Sequence, residues 1–204
     1  MPRALGQIDR RKHEAILDAA SQVLAERGLN APLEEVARRA GVSKQTVYNH
    51  YGSKTALVRT LVERRRNLLT ASLADPGSGD SPETALRGYA RALLEALVTR
   101  GSVNLIRLAV SGAADMPEFA RTIFEAGSEA MQARLASFLK AETEGGRLAV
   151  EDEVEAAELF MGMIRGNLML RLLIGFDVGM SAEDLDRRAA ACARTFMAAY
   201  QPKA

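Results

Sequence analysis

Two carboxamides, three hydroxyls, an imidazole and an ammonium group are carried by eight consecutive residues, Lys44-Gln45-Thr46-Val47-Tyr48-Asn49-His50-Tyr51. At about 100° per residue, Val47 and Tyr51 share the inward face of a short helix, so Gln45 and Asn49 point almost directly away, flanked by Thr46, Tyr48 and His50. That outward face carries no acid. Carboxamides can contact base edges, notably adenine in bidentate fashion, whereas Lys44, Thr46, Tyr48 and His50 suit phosphate or mixed contacts. The chemistry of such a face is the reading of DNA.

The surrounding sequence predicts the elements that present it. Leu33, Val36, Ala37 and Ala40 have the one-face spacing of a short amphipathic helix, and Gly41 supplies a backbone on which that helix can stop. Ser43 then serves as N-cap, accepting from the amide of Gln45 or Thr46, while Val42 and Val47 fit a hydrophobic staple. Ser53 can cap the next helix, whose free N-terminal amides join Lys54 in a second phosphate anchor. A first helix over 10–27, packing through Ile16, Leu17, Ala20, Val23 and Leu24, completes a three-helix domain with the helices at 33–40 and 44–50.

Residues 10–54, from RRKHEAILDAASQVLAERG through AGVSKQTVYNHYGSK, resemble the DNA-binding domain of TetR/AcrR-family transcriptional regulators in the ILDAA...LAERG first helix and in the AGVS..TVY.HY.SK signature. The resemblance implies a helix-turn-helix domain over 1–53. It also implies a helical ligand-binding and dimerisation domain over 54–204, linked through the fourth helix. Three positions depart from the family's usual pattern. Ala31 and Pro32 replace the common Thr and Ser before the second helix; Pro32 can occupy N1, with Asn30 or the Ala31 backbone serving the boundary. Gln45 stands where a small residue is frequent, which permits a distinctive base preference, and Tyr51 replaces a commoner phenylalanine as aromatic core plug.

The net charge of +1 hides an asymmetry: residues 1–66 hold 13 Lys/Arg and 7 Asp/Glu, residues 67–204 hold 14 and 19. Positive charge is concentrated where DNA would lie. Arg3, Arg10, Arg11 and Lys12 can form a basic arm along the backbone or a solvated tail, and Arg64-Arg65-Arg66 reads as a solvated face. Cys192, the single cysteine, excludes an intrachain disulfide and fits a reducing compartment. No apolar run reaches a membrane span or a signal-peptide core, which leads to the expectation of a cytoplasmic protein without a membrane partner.

Beyond a fourth helix from Lys54 to about Leu73 and the DPGSGDSP break at 75–82, helices are expected at 83–99, 102–113, 117–142, 152–175 and 182–200. The expected fold is all-α with about nine helices. Met116, Met131, Met161, Met163 and Met169 can pack the core or line an adaptable apolar cavity. Polar groups lie within apolar helices: Asn104 and Arg107, and farther on Arg165, Asn167 and Arg171. A buried guanidinium requires a partner, either an intramolecular acid or an acidic group on a ligand; otherwise it is exposed. Arg107, Met131, Met163, Asn167 and Arg171 are the candidate ligand contacts. Gly162 and Gly166 leave a small-residue stripe, and the last helix repeats it through Ala189, Ala190, Ala193, Ala198 and Ala199. Because the family resemblance implies a four-helix dimer interface built from the last two helices of each protomer, Gly162, Gly166, Ala189, Cys192 and Phe196 are the candidate dimer contacts.

No metal-ligand cluster, phosphate-cradling glycine loop or nucleophile motif stands near either histidine, His13 or His50. No enzymatic activity, cofactor or metal is expected. The expected function is a homodimeric repressor released from a palindromic double-stranded DNA operator by a small hydrophobic or amphipathic effector. The alternative is a constitutive, sequence-specific or architectural DNA-binding protein without an effector.

Overall fold

The computed structural model describes residues 10–28, 31–74 and 81–202, with 100–102 as backbone alone. All elements among the described residues are helical: α1 Arg10–Arg27, α2 Leu33–Arg39, α3 Lys44–Tyr51, α4 Lys54–Leu69, a 3-10 turn Ala71–Leu73, α5 Pro82–Val98, α6 Arg100–Gly112, α7 Pro117–Phe124, a π turn Glu125–Glu129, α8 Ala130–Glu144, α9 Glu153–Leu173 and α10 Ala182–Tyr200. These make nine helices if 117–144 is counted as one interrupted helix. Arg3, Asn30 and positions 75–80 of the expected break lie outside the described residues.

The chain divides into two compact units: residues up to Arg65 with Asn104–Ala126, and Arg66–Val103 with Gly127–Ala204. This differs from the division at residue 53 read from the sequence. α4 up to Arg65 packs through Leu57, Val58, Leu61 and Val62 into the same core as α1, and Leu105 of α6 with Phe119 and Ile123 of α7 enters it too. At its centre Ile16, Leu17, Ala20, Val23 and Val47 are wholly buried. Burying a side chain of this size stabilises the fold by about 1.5 to 3 kcal/mol, so the eight-residue α3 is held mainly by Val47 rather than by its own propensity.

The second unit packs α5, α8, α9 and α10 around Tyr89, Leu94, Leu135, Leu139, Phe160, Ile164 and Phe196. Its rings form a run: Tyr89 to Phe160 at 6.4 Å, Phe160 to Phe196 at 5.1 Å and Phe196 to Tyr200 at 4.5 Å between centroids. Ala189 and Ala193, both 0% exposed, allow close approach on the inward side of α10. Asp152 caps α9 by accepting from the amides of Val154 and Glu155, and Ser181 and Asp184 form a reciprocal capping box on α10.

Several boundaries differ from the sequence reading. Pro32 occupies the N-cap of α2 in extended conformation (φ −78°, ψ 143°) rather than N1, without a side-chain cap. α4 stops at Leu69, and the final turn tightens to 3-10. Two interruptions fall inside expected continuous helices. The π turn divides 117–144, and Gly166, at φ +40° and ψ −144°, kinks α9. The kink releases carbonyls of the preceding turn, and Arg188 Nη2 donates to one of them, the Ile164 oxygen, at 3.0 Å.

Candidate nucleic-acid interface

The turn between α2 and α3 follows from one glycine and one hydroxyl. Gly41 adopts φ +65°, a region L side chains rarely enter, and the Val42 amide reaches back to the Ala37 carbonyl at 3.0 Å in a Schellman closure. Ser43 then caps α3: its Oγ accepts from the Thr46 amide at 3.0 Å and lies 2.7 Å from Thr46 Oγ1. Val42 is half-buried against the core that Val47 enters. With Val47 fixed inward, Lys44, Gln45, Tyr48 and Asn49 are exposed, and Thr46 and His50 are half-buried at the margins.

The exposed side chains are not independent. Gln45 Nε2 donates to Asn49 Oδ1 at 2.5 Å, a link legible in their four-residue spacing, so the two amides present a joined donor and acceptor array. Lys44 pairs with Glu34 of α2 and lies 5.5 Å from the centre of the Tyr48 ring; the pairing raises the lysine's pKa and lowers that of the glutamate. This pairing across the turn was not apparent from local sequence. A phosphate contact by Lys44 must therefore compete with Glu34.

Behind the face, the Tyr51 hydroxyl lies 3.0 Å from His13 Nδ1, and the His50 ring meets both rings edge-on, at 5.5 Å and 4.7 Å. Tyr51 is thus more than an apolar plug, since it ties α3 to α1. Burial pushes its hydroxyl up to about 12. Burial first, and the charge of His13 second, push His50 below the ordinary imidazole value. Ser53 Oγ accepts from the Ala56 amide at 3.1 Å at the start of α4, where Lys54 is half-buried and burial lowers its ammonium pKa.

Other ion pairs brace the face from behind. Arg38 donates twice to Glu35 of α2, and Arg39 donates once to it while also pairing with Glu26 of α1; together, Arg38 foremost, they hold the Glu35 carboxyl down at about 2. Arg64, read from sequence as part of a solvated cluster, instead reaches Glu14 and Asp18 of α1, each at 2.8 Å. Its apolar stem and its two acids make it a tie between α1 and α4.

The other sequence candidates are dispersed. Arg107 is exposed on α6 in the first unit, whereas Met131 is buried and Met163 half-buried in the second. Asn167 and Arg171 do come together, lining a groove of about 650 Å³ with Met180, Arg187 and Arg188; Arg171 lies 5.7 Å from the centre of the Phe176 ring. Of the candidate dimer contacts, Ala189, Cys192 and Phe196 turn into the protomer's own core, at 0%, 8% and 1% exposure. Burial pushes the Cys192 thiol up. Gly162 and Gly166 remain on the exposed side of α9, alongside Leu159, Leu170 and Ile174. Of that face only Gly162 and Gly166 stand out in the sequence, because Leu159, Leu170 and Ile174 lie in an apolar helix whose spacing does not say which face is exposed.

Among the described residues no helix is long and apolar enough to cross a membrane. Residues 16–61 match the family model for bacterial regulatory proteins of the tetR family, and residues 84–202 match that for the C-terminal domain of AefR-like transcriptional repressors. The HTH-type transcriptional regulator YvkB of Bacillus subtilis is 29% identical over 164 residues, covering 80% of this chain and 84% of its own. A TetR-family regulator of Mesorhizobium loti superposes with a TM-score of 0.80 at 28% identity, over 96% of this chain and 100% of its own. The flavonoid-responsive regulator FrrA is 32% identical with a TM-score of 0.71 over the same shares. These families and relatives are transcriptional regulators, not enzymes. The chain belongs to the TetR family of bacterial transcriptional regulators.

Proposed function

We propose that the protein is a homodimeric, effector-responsive repressor that binds a palindromic operator through α3. The observation that carries this reading is the acid-free face of Lys44, Gln45, Thr46, Tyr48, Asn49 and His50 held outward by buried Val47. In the bound state Gln45 and Asn49 read base edges, Lys54 and the first amides of α4 hold a phosphate, and Lys44 and His50 serve the backbone. Dimerisation uses the exposed stripe of α9, where Leu159, Leu170 and Ile174 are 52%, 58% and 63% exposed, together with the outward small residues Ala191 and Ala198 of α10. An apolar stripe of this kind supports an interface. The repressor role rests on the AefR-like repressor domain matched by residues 84–202, and effector response is suggested by the flavonoid-responsive relative.

Two recognition helices on one dimer enter successive major grooves about 34 to 36 Å apart. An effector that prefers a different spacing weakens operator binding, with a coupling of about 1 to 3 kcal/mol giving roughly 5- to 150-fold. Selection of bound fragments from sheared genomic DNA, followed by footprinting and sedimentation, tests the reading. An inverted repeat occupied by a dimer is expected. Equal affinity for random DNA would refute operator recognition, and operator binding unchanged by every small molecule of the source cell would favour constitutive DNA binding.

A further inference from the structure

Buried polar groups within the second unit are left unsatisfied by the protein. Tyr89 is 0% exposed and its hydroxyl has no hydrogen-bond partner. Arg165 donates from Nη2 to Ser128 Oγ at 3.0 Å, while its Nε is buried without an acceptor. The two side chains are electrostatic neighbours: burial pushes the Tyr89 hydroxyl up to about 12, and the Arg165 charge opposes that rise. No carboxylate among the described residues forms an ion pair with Arg165, although the same unit gives buried Glu142 a two-bond partner in Arg147 at 2.6 and 2.9 Å. Arg165 as a whole is half-buried, but desolvating its Nε without an acceptor is unfavourable, and an unmade tyrosine hydrogen bond adds to the cost.

The backbone is irregular at one of the three positions and immediately beside another. Ser128 belongs to the π turn Glu125–Glu129, and Arg165 immediately precedes the Gly166 kink. Such turns and strained residues concentrate at functional sites. The surroundings are aromatic, since the Tyr89 ring stacks on Phe160, which meets Phe196 edge-on.

We propose that Arg165, Tyr89 and Ser128 bind the carboxylate of an organic acid with an apolar or aromatic body, and that this acid is the effector class of the protein. The guanidinium offers Nε and Nη2 as a planar fork for the two carboxylate oxygens, and the Tyr89 hydroxyl adds a third donor. An apolar interior selects against hydrated inorganic anions, for which it offers no replacement for lost water. The inference rests on the reading of the second unit as the effector-binding part.

The test is thermal melting of the full chain with benzoate, cinnamate and octanoate, against benzamide, chloride and phosphate. At least one acid should raise the melting temperature with concentration while the neutral and inorganic controls do not. Arg165→Met should weaken the apparent Kd at least tenfold and Tyr89→Phe several-fold. Without ligand both variants should melt at or above wild type, because each removes an unsatisfied buried group. Failure of all three acids to protect, protection retained by Arg165→Met, or an unliganded Arg165→Met melting well below wild type would overturn the assignment. Operator-shift assays separate it from the broader reading. Acid binding that leaves operator affinity unchanged supports the site and sinks the effector role, whereas a molecule that releases DNA equally from wild type and Arg165→Met overturns this site alone.

Discussion

Gly166→Ala should destabilise the protein by about 2 to 4 kcal/mol, whereas Gly162→Ala, one turn earlier in α9, should stabilise it by up to about 1 kcal/mol. Gly166 holds φ +40° and ψ −144°, and forcing a side chain into such backbone costs about 1 to 3 kcal/mol. The added Cβ would also stand 3.2 Å from Arg188 Nη2. That guanidinium can move, but moving it breaks its bond to the Ile164 carbonyl at 3.0 Å. A hydrogen bond from a charged group is worth about 1.5 to 3 kcal/mol, and partial exposure of Arg188 reduces this to about 1. Within the protomer a Cβ added at Gly162 meets nothing within 4 Å, so alanine's better helix propensity sets the effect on the protomer's own stability. For a chain of this size the Gly166 variant should melt roughly 4 to 16 °C lower. Urea denaturation followed by far-UV circular dichroism, with thermal melting at the same protein concentration, measures both variants. If Gly166→Ala is as stable as wild type or more so, α9 runs straight in solution and the Arg188 contact contributes nothing.

Gln45→Ala and Asn49→Ala should each reduce discrimination between operator and random DNA by about 1 to 3 kcal/mol, and their mutual hydrogen bond should make the double variant less than additive; a binding isotherm on both DNAs checks this, and equal losses would identify phosphate contacts. Lys54→Ala should weaken binding to all DNA and flatten the log-log salt dependence by about 0.9 per lost phosphate contact. His50 titrates below its unfolded value of 6.5, so the unfolded chain binds the proton first; stability should be full above that value and decline as pH falls below it, a slope that His50→Gln should reduce in denaturation series. Arg147→Ala should strand the carboxylate of Glu142, whose side chain is only 2% exposed, and because Arg147 is itself 37% exposed the loss should lie near the lower end of the ~3 to 5 kcal/mol typical of a broken buried pair, read from the urea midpoint.

Local pattern carried most of the helix plan, because each helix buries one face and its apolar spacing records that fact. α1 runs from Arg10 to Arg27 and α10 from Ala182 to Tyr200, the ranges their periodicity predicts. The exposed face of α3, the candidate site, was legible for the same reason: Val47 can face only one way, and the direction of Gln45 and Asn49 follows. The π turn left no comparable signal. Phe119, Ile123, Met131 and Leu135 recur at multiples of four residues and suggest one face, yet the first two enter the core of the first unit and the last two that of the second.

What escaped the sequence depends on partners distant along the chain. Gly166 reads equally as a small-residue contact or as a kink, and the deciding group is Arg188, on another helix. Lys44 reads as a free cation until Glu34 meets it across the turn, and Arg64 as surface charge until α1 supplies Glu14 and Asp18. The dimer candidates carry a related ambiguity. Small residues lower the bulk of whichever face they occupy, so Ala189 serves the protomer core while Leu159, Leu170 and Ile174 carry the exposed apolar surface. An arginine in an apolar helix is ambiguous in the same way. Arg107 resolves it by exposure, whereas Arg165 is half-buried with its Nε wholly buried and no acid beside it, the outcome that leaves a donor for a ligand to complete.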